Sequence, residues 1–309
     1  MQIYLPIAEI PVNIILILAL GLIAGFLAGM FGIGGGFIAT PLLMFIGIPP
    51  AIAVSTSTNQ IISASISGLL AQLRKSNVDI KMGLFLVFGG FIGSTIGISV
   101  FNILQKTGHI DIVIPILYVV FLGSISVTML IETIKTLVEK KYGVTWEKKQ
   151  NSRLDKFLRK IENLPWKVYF PKSNITISIL VPITISSGIG VLVALMGVGG
   201  GFLMIPAMIY ILRMPSNIVV GTSLFQIVFI ASNATFLQAV TNHTVDIVLA
   251  FLMIISSAIG AQFGTRAGYR VDADSMRFSL ALMLLAVCVK MLFVLLAEPQ
   301  SLYIIEVSK

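Results

Sequence analysis

The chain has 309 residues, of which 57% are hydrophobic and 11% charged, with a formal charge of +8; its mean hydropathy is +1.00. Soluble domains carry about a quarter charged residues, so a water-facing globule is excluded, and apolar runs that do not alternate exclude a β-barrel. The positive surplus sits in one hydrophilic stretch, which in so apolar a chain marks the cytoplasmic side of a membrane, with no nucleic-acid partner.

Residues Met1 to Asn13 contain Glu9 and no Lys or Arg, so a cleaved signal peptide, which needs a basic n-region, is not expected. Five apolar segments follow, near 14–31, 34–47, 52–73, 82–103 and 112–137. The second is too short for a comfortable helical span, which takes roughly 17–25 residues. Then comes the hydrophilic stretch Glu139 to Lys172, holding Lys140, Lys141, Lys148, Lys149, Arg153, Lys156, Arg159, Lys160, Lys167 and Lys172. Within it Leu154, Phe157, Leu158 and Ile161 recur at helical spacing, as in an amphipathic helix lying on a membrane surface. The alternative is a solvated linker whose charge only fixes topology. Five more apolar segments follow, near 175–196, 199–212, 217–240, 246–266 and 277–297. The lone Cys288 lies in the last of them and has no partner for an intrachain disulfide. The domains are therefore a first transmembrane repeat (1–138), a basic cytoplasmic linker (139–173) and a second transmembrane repeat (174–309).

The two halves are a duplication. Gly32-Ile33-Gly34-Gly35-Gly36-Phe37 recurs as Gly197-Val198-Gly199-Gly200-Gly201-Phe202, and Pro41 as Pro206, each 165 positions on. With small slips, Pro49 matches Pro215, Thr56-Ser57 matches Thr222-Ser223, Gln60 matches Gln226, and Val78-Asp79 matches Val245-Asp246. Gly93 and Gly97 match Gly260 and Gly264; these GxxxG pairs are a common helix-packing signal. Five segments per half is an odd number, so the halves should run through the membrane in opposite directions. With the linker inside, Arg74, Lys75 and Lys81 fall inside, as do Arg213, Arg266, Arg270 and Arg277. Both termini, the 104–111 turn and the 241–246 turn fall outside with few basic residues, which satisfies the positive-inside rule. The fold class expected is an all-α polytopic membrane protein of two inverted repeats, with discontinuous or re-entrant helices at the glycine breaks.

Gly in a helix interior costs about 1 kcal/mol relative to Ala, so three in succession argue against continuous helix. The segments beyond the breaks, Phe37 to Ile46 and Phe202 to Leu212, read as short helices whose N-termini offer N–H groups and partial positive charge to an anion. Close helix packing is the alternative use of such glycines. Two copies at one spacing in opposed halves favour a central site. A second constellation is the polar run Ser55 to Gln60 with Ser63, Ser65 and Ser67. In it Thr56, Gln60, Ser63 and Ser67 share a helical face, matched by Thr222, Gln226 and Asn233. These are uncharged donors that could replace an anion's hydration, or else plain inter-helix hydrogen bonds. Asp79 and Asp246 read as helix caps, and Lys290 as a residue reaching for the interface or attracting an anion. No metal-ligand cluster, nucleophile elbow, dinucleotide fingerprint or Walker motif is found, so the chain is read as a non-enzyme without a cofactor.

The duplicated Gly-x-Gly-Gly-Gly-Phe, the proline beyond it and the later Thr-Ser element resemble the sulfite exporter TauE/SafE family of membrane permeases, from about Ile14 to Ala297. The basic linker is longer than that family would lead one to expect. The resemblance implies transport of sulfite, thiosulfate or organosulfonates, with substrate and direction varying among members. By position in the motif, Gly34, Gly35, Gly36, Thr56 and Ser57, with Gly199, Gly200, Gly201, Thr222 and Ser223, inherit the binding role; Gln60 and Gln226 join them from the polar run. The expectation is a plasma-membrane carrier whose partners are a small sulfur oxyanion and the lipid bilayer, acting alone or as a homo-oligomer. The alternatives are a scaffold or sensor working through the basic linker, and an anion channel.

Overall fold

The computed structural model describes residues 2–31, 34–142, 165–268 and 273–296. Hairpin β1 (Gln2–Leu5) and β2 (Ile10–Asn13) precedes α1 (Ile14–Phe31), α2 (Gly36–Phe45), α3 (Pro50–Arg74), α4 (Ile80–Lys106) and α5 (Ile110–Tyr142). Hairpin β3 (Lys167–Phe170) and β4 (Ile175–Ser178) precedes α6 (Leu180–Met196), α7 (Gly201–Tyr210), α8 (Ser216–Leu237), α9 (Ile247–Gly268) and α10 (Ala273–Leu296). A π turn, Gln238–Asn242, continues α8. Among the described residues, six helices are long and apolar enough to cross a membrane: α1, α4, α5, α8 with its π turn, α9 and α10. The protein is an all-α polytopic membrane protein carrying two small hairpins.

The helix starts are fixed locally. α3 and α8 begin just after Pro49 and Pro215, residues that cannot continue a preceding helix. α4 and α9 begin at aspartates whose carboxylates accept from the third residue on, Met82 N at 3.0 Å and Leu249 N at 3.1 Å. Each aspartate satisfies a donor that a helix N-terminus leaves free, so the capping role expected for Asp79 and Asp246 is what the fold uses.

Packing pairs elements across the halves. α1 lies along α9, α4 along α6, α5 along α10 and α3 along α8. Small residues allow the first two pairs to touch backbone to backbone. A Cβ on Gly25 would fall 2.2 Å from Ser257 O, and one on Gly264 1.9 Å from Phe26 O. On the other side a Cβ on Gly93 would fall 1.9 Å from Ser187 O. The GxxxG residues are therefore packing devices. Gly21, Gly25 and Gly29 meet Ser256, Ser257 and Ala261 in ascending order, so α1 and α9 point the same way. Gly89, Gly93 and Gly97 meet Ile183, Ser187 and Val191 likewise, so α4 and α6 also share a direction. In the middle, Ile61, Leu224, Ile227 and Ala231 of α3 and α8 form one buried cluster.

α2 doubles back along α1: Gly35 sits against Ala24 and Ala28, while Leu43 clusters with Leu5, Val12 and Ile17 near the start of α1. α7 does the same along α6, with Gly200 against Ile189 and Val193 and Met208 beside Phe170 and Val181. One end of the molecule gathers β1–β2 with the starts of α3 and α9; there Ile7 N donates to Asp246 Oδ2 at 3.0 Å. The other gathers β3–β4 with the starts of α4 and α8; there Ser173 Oγ donates to Asp79 Oδ2 at 2.6 Å.

The hairpins correct the sequence reading. Their strands are four residues each, and no Asn-Gly or Gly-rich turn announces them. They extend the 165-residue offset to Gln2 and Lys167. Lys167 and Lys172, assigned to the linker, belong instead to β3 and the turn after it. Lys172 Nζ donates to Ser76 O at 3.1 Å, and Lys81 Nζ to Tyr169 O at 2.9 Å. The other basic residues assigned to the linker up to Lys160 either fall outside the described residues, with the helical spacing Leu154 to Ile161, or occupy the final turns of α5. Gly32, Ile33 and Arg270 also lie outside the described residues.

Candidate functional site

The two glycine breaks meet at the centre of the protein. Gly34 and Gly35 have φ of 91° and 73°, Gly199 and Gly200 of 78° and 69°. This left-handed region suits glycine and is strained for any residue with a Cβ. It lets the chain reverse at the end of α1 and α6 and start α2 and α7 within a few residues. A Cβ on Gly36 would lie 2.4 Å from Gly197 O, so the breaks touch. Gly201 opens α7 as Gly36 opens α2, and the next residues, Phe37 and Phe202, stack with ring centroids 5.7 Å apart. Two ten-residue helices thus begin side by side, each about 15 Å long, half a bilayer core.

Between the breaks stands Ile61 of α3. A Cβ on Gly36 would lie 2.2 Å from its Cδ1, and one on Gly199 2.8 Å from its Cγ2. Its repeat partner Ile227 sets its Cγ2 3.8 Å from where a Cβ on Gly34 would lie. Ser65, one turn after Ile61, sets its Oγ 3.5 Å from the Cβ position of Gly34. That hydroxyl is fully buried and has no hydrogen-bond partner. Gln60, beside Ile61, is fully buried with neither carboxamide atom bonded, and Gln226 has an unbonded Oε1. A buried polar group without a partner is costly and rare, and in a native protein calls for a ligand, water or ion. The difference between the glutamines has a local cause. Gln226 Nε2 donates to Ser186 Oγ at 2.8 Å, whereas the position matching Ser186 in the first half is Gly21.

The other residues singled out from the sequence have structural partners. Thr222 Oγ1 accepts from Asp79 N at 3.0 Å, and Thr56 Oγ1 from Asp246 N at 3.4 Å; the two threonines sit at opposite ends, each tying α3 or α8 to a helix of the other half. Ser57 Oγ lies 2.5 Å from Thr40 Oγ1, and Ser223 Oγ donates to Val220 O at 2.9 Å. Ser63 bonds Ile254 O and Ser67 bonds Ser63 O. Asn233 donates to Ser94 Oγ at 2.8 Å. Lys290 Nζ lies 4.3 Å over the ring of Phe45, a cation–π contact at the end of α2. The sequence reading names Ser65 only within the polar run, off the face shared by Thr56 and Gln60, and does not single out Ile61 or Ile227. Ile61 and Ile227 follow Gln60 and Gln226 in the repeat, and that match is the signal the sequence offers.

Beside the first break a cavity of about 190 Å³ opens at the β3–β4 end, lined by Ala28–Phe31, Ala64, Gly68, Gln72, Leu224 and Gly268 among others. Ala64 adjoins Ser65 on α3. Among the described residues no group of three His, Cys, Asp or Glu could hold a metal.

Comparison with known proteins supplies the family. Residues 17–291 match the family described as Sulfite exporter TauE/SafE. The Probable membrane transporter protein YunE of Bacillus subtilis (strain 168) is 26% identical over 268 residues, covering 84% of this chain and 89% of that protein. YjnA of the same organism, also a probable membrane transporter protein, is 25% identical over 280 residues, 89% of this chain and 98% of its own length. The Sulfite exporter TauE/SafE family protein 3 of Arabidopsis thaliana is 30% identical over 108 residues, 34% of this chain and 23% of its own. No solved structure matches the chain. The chain belongs to the sulfite exporter TauE/SafE family and is a multi-pass membrane transporter.

Proposed function

We propose that this member of the sulfite exporter TauE/SafE family is a secondary carrier for a small sulfur-containing oxyanion, bound where its two half-helices begin. The observation that carries the reading is the meeting of the two glycine breaks beside the unbonded, buried Ser65 hydroxyl. Half-helix N-termini at membrane depth favour negative charge, and irregular backbone there is tolerated only where protein or a cavity surrounds it.

The halves are inverted repeats. α1 and α9 share a direction, as do α4 and α6, so the first helix of one half runs with the fourth helix of the other. Asp246 and Thr56 meet at one end and Asp79 and Thr222 at the other, which supports the same relation. α2 and α7 are then re-entrant, each leaving by the face its preceding helix came from. The β3–β4 end, next to the linker and to Arg74, Lys75 and Lys81, is the cytoplasmic one, and both termini lie outside.

The test is flux. Purified protein in liposomes should carry at least one of labelled sulfite, thiosulfate or 2-hydroxyethanesulfonate faster than protein-free vesicles, in a manner that saturates. The absence of flux for all three would sink the carrier reading.

A further inference from the structure

We infer that the site selects a singly charged, proton-bearing oxyanion, hydrogen sulfite or a hydroxylated sulfonate, over doubly charged anions, and that any proton crosses on the substrate. This rests on the carrier reading above and names the substrate's charge state.

The first argument is charge. Among the described residues the only fully buried charged side chains are Asp79 and Asp246. Both are negative, lie at opposite ends and accept backbone N–H groups. No buried Lys or Arg faces the breaks from α1, α2, α3, α6, α7 or α8. The positive field at the centre is that of two helix N-termini, each equivalent to roughly half a charge. Together they offset about one negative charge, and a dianion would retain about one more, buried and unpaired, among neutral groups.

The second argument is hydrogen bonding. Gln60 Oε1 and Gln226 Oε1 are buried acceptors with no donor. A carboxamide oxygen can only accept, so it calls for a ligand that donates. Ser65 Oγ, beside the first break, supplies a donor for the anion's own oxygens. Sulfate and thiosulfate are acceptors throughout. Hydrogen sulfite and a hydroxylated sulfonate combine acceptor oxygens with a donor.

The third argument is the lack of a relay. Between the two aspartates the buried, described titratable groups are Tyr118, which donates to Met196 O, and Cys288, which touches Val119 O in the α5–α10 pair. The Tyr118 hydroxyl reaches the residue that precedes Gly197, but its proton is engaged by the Met196 carbonyl, and Cys288 stays within the α5–α10 pair. A proton that crosses must therefore travel on the substrate.

The experiment is flux into proteoliposomes of the full chain at fixed total anion and varied, equal pH on both sides. Sulfite flux should fall about tenfold per pH unit above the second ionisation of sulfurous acid, following the hydrogen sulfite fraction. Flux of 2-hydroxyethanesulfonate, singly charged throughout, should stay constant across the same range, and sulfate should not cross. Ethanesulfonate should be carried at least about fivefold more slowly than its hydroxylated analogue, and Gln60→Met should lower that ratio towards one. Sulfite flux that ignores pH, sulfate carried as fast as sulfite, or a parallel fall of both sulfite and sulfonate would overturn the inference while leaving the carrier reading in place. Failure of every anion to cross would remove the carrier reading, and this inference with it.

Discussion

The two ends of the α3–α8 pair are built from matching residues and differ in packing. At the β3–β4 end, Ala28–Phe31, Ala64, Gly68, Gln72, Val220, Leu224, Thr265 and Gly268 line an open cavity. Their counterparts at the β1–β2 end are Val193, Ala194, Leu195, Met196, Ile230, Ala234, Gln238, Val54, Thr58, Ile98 and Phe101, and these are packed. Ile98, Ala194 and Ala234 form one cluster, and Phe101, Val54, Leu195 and Met196 sit in the largest one. A polar knot closes the same end. Ser55 Oγ lies 2.8 Å from Gln238 Oε1 and 2.7 Å from Thr244 Oγ1, and Gln238 Nε2 donates to Ala194 O at 3.2 Å. The residue matching Ser55 is Gly221, where a Cβ would fall 2.2 Å from Asn77 O. No side chain fits there, so no knot forms. A duplicated chain becomes directional by such single substitutions. The α3–α8 pair is thus open at one end and packed at the other, the asymmetry that the proposed carrier would reverse in its cycle.

The largest expected effect is in accessibility. In a Cys288→Ala background, Ala71→Cys lines the cavity, while Ala234→Cys matches the cavity residue Gly68 and is fully buried. If exposing Ala234 requires local opening of about 3 kcal/mol, a membrane-impermeant thiol reagent should label position 71 roughly a hundredfold faster. Labelling at 71 should come from the face bearing the linker. Equal rates would mean that the two ends interconvert freely, and labelling at 71 from the opposite face would reverse the assigned orientation.

The second effect separates the knot from its counterpart. Gln238→Leu strips the shared acceptor from Ser55, Thr244 and Asn242 and should cost about 1–3 kcal/mol, because buried partners are left unpaired. Gln72→Leu removes only a 3.4 Å contact with Asn77 at a half-buried position, so its effect should stay within about 0.5 kcal/mol. Thermal unfolding in detergent measures both, and Gln238→Leu should also speed the labelling of Ala234→Cys. Equal shifts for the two variants would show that the knot does not hold the closed end.

Much of this organisation is legible in the sequence, since the glycine triplets, the prolines beyond them and the aspartates carry their local physics with them. Gly35 can be read as a break because three glycines cannot sustain a helix. That Ala24 O would stand 2.7 Å from its Cβ cannot be read. Gly35→Leu therefore damages folding as well as any site, and is a poorer probe than periodicity makes it look. The polar face was assigned by spacing alone. Spacing puts Thr56, Gln60, Ser63 and Ser67 on one face, but tertiary packing takes up the hydroxyls of Thr56 and Ser63, the helix's own Ser63 carbonyl takes up that of Ser67, and Gln60 and Ser65 stay unbonded. The hairpins escaped because four-residue strands carry almost no periodic signal.

The smallest effect concerns the threonines, and it decides whether their hydroxyls serve the ligand or the scaffold. Thr222 Oγ1 accepts from Asp79 N at 3.0 Å while donating to Ile218 O at 2.9 Å. Both hydrogen-bonding roles of the hydroxyl are taken, and it secures the start of α4 at the open end. Thr56 Oγ1 makes the matching contact with Asp246 N at 3.4 Å, long for a good N–H···O bond. Thr222→Ala should therefore lower stability by about 1 kcal/mol, and Thr56→Ala by about half as much. Neither should change the concentration of sulfite, at a pH where hydrogen sulfite is present, needed for half-maximal thermal stabilisation. A ligand-facing hydroxyl would behave differently: losing a bond to an ion costs about 1.5–3 kcal/mol, or roughly ten- to a hundredfold in affinity. If Thr222→Ala leaves the unfolding temperature alone and weakens sulfite binding tenfold, the hydroxyl turns to the anion in another state of the cycle. The contrast between open and closed ends would then extend to the threonines themselves.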